Sequence, residues 1–233
     1  ADIMEITETD RLIADRIYNQ AMAGRVIPLN LMTAAQPFGQ THMAADGGKA
    51  IRPTINLATL YSEDPEMVLR VMRDSEQNID YLQLIAANPE LTAHVLIQIP
   101  DIKKEYLTND FGRAIVPKGE LGDVNTLHWK IKLPDARFDL RPVVYDPEHV
   151  ESAREVTLET DQHDRILVTF ASKTAGKQIL IRVLELDGRT DYDSVRVSIS
   201  QQQLQEVKNV TPNQIVPFAI IDPNQGINIR LYR

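Results

Sequence analysis

The chain has 233 residues, 43% of them hydrophobic and 25% charged, which is the composition of a globular protein and excludes wholesale disorder. Its 25 basic and 33 acidic side chains give a formal net charge of -8. That balance argues against a dedicated nucleic-acid binder, which needs a basic face to displace counterions from phosphates. There is no cysteine, so disulfides, zinc ribbons, iron–sulfur clusters and thiol catalysis are excluded.

No apolar run approaches the ~20 residues that span a bilayer, so no membrane insertion is expected. Ala1-Asp2-Ile3-Met4-Glu5 carries neither a basic nor an apolar leader region, and with the missing cysteine this gives the expectation of a cytoplasmic protein. Thr7-Glu8-Thr9-Asp10 reads as a helix start. Leu12, Ile13, Ile17, Ala21 and Met22 follow at helical spacing, and Gly24 sits where a left-handed C-terminal residue belongs. Val26 to Leu31 is apolar and extended, with Pro28 suited to a sheet edge or an arm because it lacks a ladder donor. Residues 36–53 carry strong turn signals, Gln36-Pro37-Phe38-Gly39 and Asp46-Gly47-Gly48-Lys49, and read as a long irregular loop of the kind that carries function.

The stretch from Ser62 to Gln98 is the main helical expectation. Asp64-Pro65-Glu66-Met67 and Asn88-Pro89-Glu90-Leu91 both pair a capping residue with Pro and an acid in the first turn. Val68, Val71, Met72, Ile79, Leu82, Ile85 and Ala86 fall on one helical stripe, which predicts a helix from Pro65 to Ala87 and a second one to about Gln98. The Asn-Pro-Glu opening resembles the short helices of peptide-binding modules in co-chaperones. That resemblance implies a groove lined by Met67, Val71, Met72, Leu91 and Val95. It covers two short segments with no third copy, so two independently capped helices is the simpler reading.

After Leu107 the character changes. Thr126 to Leu133 alternates as a half-buried strand, Pro134 to Pro147 is proline-punctuated, and from Glu155 onward almost every segment reads as strand. The expected fold class is therefore α+β: a helical N-terminal half followed by an antiparallel β-rich half, sandwich or barrel-like. In domain terms, residues 1–133 are mainly helical, 134–154 form a proline-containing connection, and 155–233 form a β-rich domain.

Few residues suggest chemistry. Asp161-Gln162-His163-Asp164, with His149 upstream, has metal-ligating residue types but lies between two strands, where a polar turn is expected for backbone reasons. Lys173-Thr174-Ala175-Gly176-Lys177 lacks the spacing and the following helix of a phosphate loop. None of His42, His94, His128, His149 and His163 sits in a catalytic frame. No catalytic, metal or cofactor residue is assigned, and no cofactor is expected.

The leading functional expectation is thus a non-enzymatic structural or assembly subunit, a virus or phage particle component being one form of it, located in the cytoplasm or the virion. Its partners are expected to be proteins, in a homo-oligomer or multi-subunit assembly, with no nucleic acid. Pro28, Phe38, His42, Ile227, Ile229 and Leu231 are the expected interaction residues, the last three because they alternate in an apolar strand near Arg233. Two alternatives stand beside it. One is a hydrolase or metal-dependent enzyme assembled from dispersed His and Asp/Glu; the other is the helical peptide-binding module.

Overall fold

Backbone pairing, not helix packing, organises this molecule. The computed structural model describes residues 7–33, 54–141, 154–170 and 178–233. Of these, 54% lie in strands and 13% in helices, and every strand pair is antiparallel. Among the described residues there is one α-helix, α1 (Glu8–Met22). Sixteen strands follow it in the described residues, and the chain divides into two compact units: Val26–Lys132, and Ala1–Arg25 together with Leu133–Arg233.

The Val26–Lys132 unit contains β1 (Val26–Leu31), β2 (Thr54–Glu63), β3 (Glu66–Asp74), β4 (Ile79–Ala86), β5 (Leu96–Ile99), β6 (Lys104–Leu107), β7 (Arg113–Pro117) and β8 (Trp129–Lys132). They form one sheet in the order β6-β5-β8-β1-β2-β3-β4-β7, curled into a nearly closed barrel. Its two edges, β6 and β7, are consecutive in the chain. Ile27, Leu60, Leu69, Val71, Leu82, Leu84, Ile97, Val116, Trp129 and Ile131 fill the interior at 2% exposure or less. Each such burial stabilises by about 1.5–3 kcal/mol relative to exposure.

The expected helical N-terminal half is absent, and residues 65–87 show why. Met67, Leu69 and Val71 are buried while Val68, Arg70 and Met72 are not; Leu82 and Leu84 repeat the alternation. The helical stripe had left out Leu69 and Leu84, two of the most buried residues here. Asp64-Pro65, joined by a cis peptide bond, occupies the turn between β2 and β3 instead of capping a helix. Asp74 accepts from the amides of Glu76 and Gln77 (2.9 and 3.0 Å) and closes the next hairpin. At 88–98 the cap itself is real, since the Asn88 side chain accepts from Glu90 N, but one 3-10 turn (Pro89–Leu91) follows and β5 replaces the rest of the helix. The co-chaperone-like groove falls with these helices: Met67, Val71, Leu91 and Val95 are 0–3% exposed inside the barrel unit.

The second unit holds α1 and the strands β9 (Ala136–Leu140), β10 (Arg154–Glu159), β11 (Arg165–Phe170), β12 (Gln178–Glu185), β13 (Val195–Gln201), β14 (Leu204–Val210), β15 (Ile215–Ala219) and β16 (Ile227–Tyr232). Two four-stranded sheets, β10-β11-β12-β15 and β14-β13-β16-β9, share one core that includes Phe138, Ile166, Val168, Ile181, Phe218 and Ile229. This is a β-sandwich. The strand-rich expectation for the C-terminal part thus matches. β9 arises within the stretch read as a connection. One lateral seam is closed by side chains: Glu206 accepts from Ala219 N (3.1 Å), and Lys208 donates to Pro217 O (2.5 Å).

The barrel interior contains one ion pair with a clear energetic consequence. Arg73 donates Nε and Nη2 to the two oxygens of Asp80 (2.7 and 3.0 Å), whose side chain is wholly buried. Arg73→Ala leaves that carboxylate buried without its partner and is expected to destabilise the protein by about 3–5 kcal/mol. Replacing both residues with apolar ones is expected to recover most of the loss. Urea unfolding followed by the fluorescence of the buried Trp129 measures both.

Candidate interaction surface

In an antiparallel sheet, residues directly opposite each other project from the same side. Across β2, β3, β4 and β7 the row Ala58, Val71, Leu82, Ala114 points inward. The rows Asn56, Met72, Tyr81, Ile115 and Thr59, Arg70, Gln83, Arg113 point outward. The outer face of this barrel wall therefore mixes two arginines with apolar and aromatic side chains. Ile115 is 66% exposed, and Phe111, just before β7, is 82% exposed. Arg, Tyr, Met and Phe on an exposed surface are the residue types enriched at protein interfaces.

The segment 108–112 sets where Phe111 and Arg113 project. The Asn109 side-chain oxygen accepts from Phe111 N and Arg113 N (2.9 and 3.0 Å), and Gly112 O accepts from Leu84 N (2.8 Å). Gly112 has φ 71, and a Cβ there would stand 2.6 Å from Leu84 O. Only glycine fits that close approach of backbone to backbone. From this anchored turn the Arg113 guanidinium lies over the Tyr81 ring, 5.0 Å from its centroid. Its Nε donates to Gln83 Oε1 (3.0 Å), while Gln83 Nε2 donates to Phe111 O (2.8 Å). The guanidinium is held at one edge and one face. Beside it lies a cleft of about 300 Å³, lined by Thr54, Asp74, Gln77, Ile79, Tyr81, Arg113 and Ile115.

In the sandwich unit a cleft of about 500 Å³ runs between one side of α1 (Leu12, Asp15, Arg16, Asn19), the start of β9 and the turn at 160–164. α1 begins with a capping box: Thr7 Oγ1 accepts from Asp10 N (3.2 Å) and Asp10 accepts from Thr7 N (2.9 Å). The Thr7 hydroxyl, which donates to the Asp10 carboxylate (2.6 Å), and then the Thr7 amide hold the Asp10 carboxyl below its usual range. Arg137 also lines the cleft, and burial, reinforced by neighbouring Arg230, pushes its pKa down to about 10. On its other side α1 presents Ile13, Ile17 and Tyr18, which are 53%, 61% and 40% exposed; Met22 is its one buried residue.

The residues singled out from the sequence scatter. Pro28 is exposed on β1 opposite Lys130, and pairing with β2 begins only at Asn30, so its missing N–H leaves no gap in that ladder. Phe38, His42 and His149 lie outside the described residues, as do the turns at 46–49 and 173–177. Ile227, Ile229 and Leu231 are 0–2% exposed in β16, which pairs on both sides with β13 and β9. Asp161 to Asp164 is a turn. Asp164 is buried and accepts from Thr160 Oγ1, Asp187 N and Arg233 Nη2 (2.9–3.1 Å), which is a structural clasp, while His163 is 74% exposed. His94, expected within a helix, has φ 54 and meets Asp110 at 2.6 Å; His128 meets Asp101 just before β8. Among the described residues no three of His, Cys, Asp and Glu converge as a metal site requires.

Sequence reasoning missed Arg113, Tyr81 and Gln83. The available signal was the alternation Phe111, Arg113, Ile115 against the small residues Gly112 and Ala114. No protein-family model, curated protein or solved structure matches the chain. No helix among the described residues is long and apolar enough to cross a membrane.

Gly112→Ala is expected to lower stability by more than about 2 kcal/mol, because the left-handed backbone penalty of about 1–2 kcal/mol adds to the clash with Leu84 O. Gly119, at φ 86 with nothing within 4 Å of a built Cβ, provides the reference. Gly119→Ala is expected to show the backbone penalty alone. Comparing the two by chemical denaturation isolates the contact.

Proposed function

We propose that this chain is a non-enzymatic subunit of a protein assembly and that it associates with further copies of itself through α1. The observation that carries the reading is the exposure of Ile13, Ile17 and Tyr18 on a capped helix of 15 residues. Helices of that length are marginal alone in water and take most of their stability from a packed apolar face. Here the residues at i and i+4 that form such a face, Ile13 and Ile17, are solvated. A partner helix would cover them.

A second copy of α1 fits this apolar face: packed antiparallel, Ile13 of each helix meets Ile17 of the other, so one self-complementary contact covers both. The buried polar groups support the same reading from another direction. Asp80, Thr108, Asp164 and Gln201 all bond to neighbouring backbone or side chains. They hold the fold and are spoken for. The dispersed His and carboxylate enzyme reading gains no such convergence among the described residues.

Light scattering on a sizing column is the direct test. The chain is expected to pass from monomer to dimer or larger as concentration rises. Ile17→Glu, which would bury a charge in the helix contact, is expected to weaken that association at least about tenfold with an unchanged melting temperature. A wild-type chain that stays monomeric at millimolar concentration overturns the reading.

A further inference from the structure

The outer wall of the barrel unit carries a second binding feature that α1 does not explain. Arg113 is braced within its own sheet: Tyr81 supports its face at 5.0 Å and Gln83 takes its Nε at 3.0 Å. That arrangement engages Nε, and with it the side-on edge of the guanidinium, and leaves the end-on pair, Nη1 and Nη2, as the donors for a partner. Two parallel N–H donors in a fixed plane match the two oxygens of a carboxylate. Because the side chain is already ordered, little rotamer entropy remains to be lost on binding.

The ground around this donor pair is apolar. Ile79, Tyr81 and Ile115 line the adjacent cleft, Met72 stands next to Tyr81 in the same outward row, and Phe111 is 82% exposed. Charge on the two outward rows is of one sign only, from Arg70 and Arg113. Asp74 also lines the cleft, but it is 4% exposed and its oxygen accepts two turn amides. The surface thus offers a fixed cation within an aliphatic and aromatic platform.

We propose that this face docks a segment of a partner protein that combines acidic and apolar side chains, with Arg113 clamping one carboxylate end-on. Single-stranded nucleic acid is the competing polyanion, and the observations favour the peptide. A nucleic acid track needs several cations to release counterions, and these rows supply two. Ile79, Ile115 and Met72 are packing groups, the Tyr81 ring is already faced by Arg113, which leaves Phe111 for stacking, and the net charge of -8 opposes a dense polyanion.

The experiment uses the full chain, isotope-labelled, with three probes: a random copolymer of glutamate and tyrosine, one of lysine and tyrosine, and a thymidine oligonucleotide. The glutamate–tyrosine polymer is expected to bind in a salt-dependent way and to shift the amides of β4 and β7. Arg113→Ala is expected to weaken it at least about tenfold, with Arg113→Lys restoring only part because an ammonium lacks the planar fork. Arg113 is exposed, so both variants are expected to keep the wild-type melting curve, which is checked alongside. Ile17→Glu in α1 is expected to leave this binding unchanged, so the two surfaces are read separately. The proposal is overturned by absence of binding to the glutamate–tyrosine polymer, by binding indifferent to Arg113→Ala, or by the lysine–tyrosine polymer or the oligonucleotide binding as tightly.

Discussion

The pairing of Val26 with Lys132 is the constraint on which the chain's organisation depends. β1 and β8 lie side by side and antiparallel, so the chain enters and leaves the barrel unit at neighbouring points. On the sandwich side, Leu133 N donates to Arg25 O (2.9 Å) and Gly24 N donates to Pro134 O (3.0 Å). The barrel unit is thereby an insertion between α1 and β9, made possible because its first and last strands are partners. Without that pairing, α1 and the strands of its own unit would be separated by 107 residues of loop closure.

Within each unit, alternating side chains do most of the remaining work, and buried polar groups fix what alternation leaves open. Thr108 Oγ1 accepts from Val95 N (3.0 Å) and donates to Thr92 O (2.6 Å), tying the end of β6 to the residues before β5. Gln201 at the end of β13 is 2% exposed; it accepts from Ile221 N and Asp222 N and donates to Asp222 O. A residue that looks like part of a polar run is thus a clasp between β13 and the turn before β16. Polar groups so placed specify register and turn position. They explain why the most polar interior residues of this protein are structural.

What was legible in the sequence follows the same physics. Thr7 and Gly24 mark the limits of α1 because caps act locally. The strands after Glu155 show in the alternation itself, as in Val195, Val197 and Ile199. The Asp64-Pro65-Glu66 signal failed because Asp-Pro serves a tight turn as readily as a helix start, and because Leu69 and Leu84 decide between a period of two and a period of 3.6. Asn88 did cap, yet the fold gave it one turn, since the barrel needed residues 96–99 extended. The candidate site was least legible. Arg113, Tyr81 and Gln83 come together only through strand register, and no spacing in the sequence brings position 113 beside 81. Ile227, Ile229 and Leu231 were visible as an apolar strand, but only the sheet order shows that their own unit buries them.

That sheet order also has a temporal side. Every strand partner in the barrel unit lies between residues 26 and 132, so the ribosome can release a chain able to close the barrel well before synthesis is over. The sandwich unit differs. β16, the last of the described strands to emerge, sits between β13 and β9, and among the described residues β9 has no other strand partner. β9 must therefore wait through the appearance of six further described strands before its neighbour exists. During that interval Phe138 and Leu140 have no sheet to join, and α1, made before β9, waits longer still for its unit to be completed.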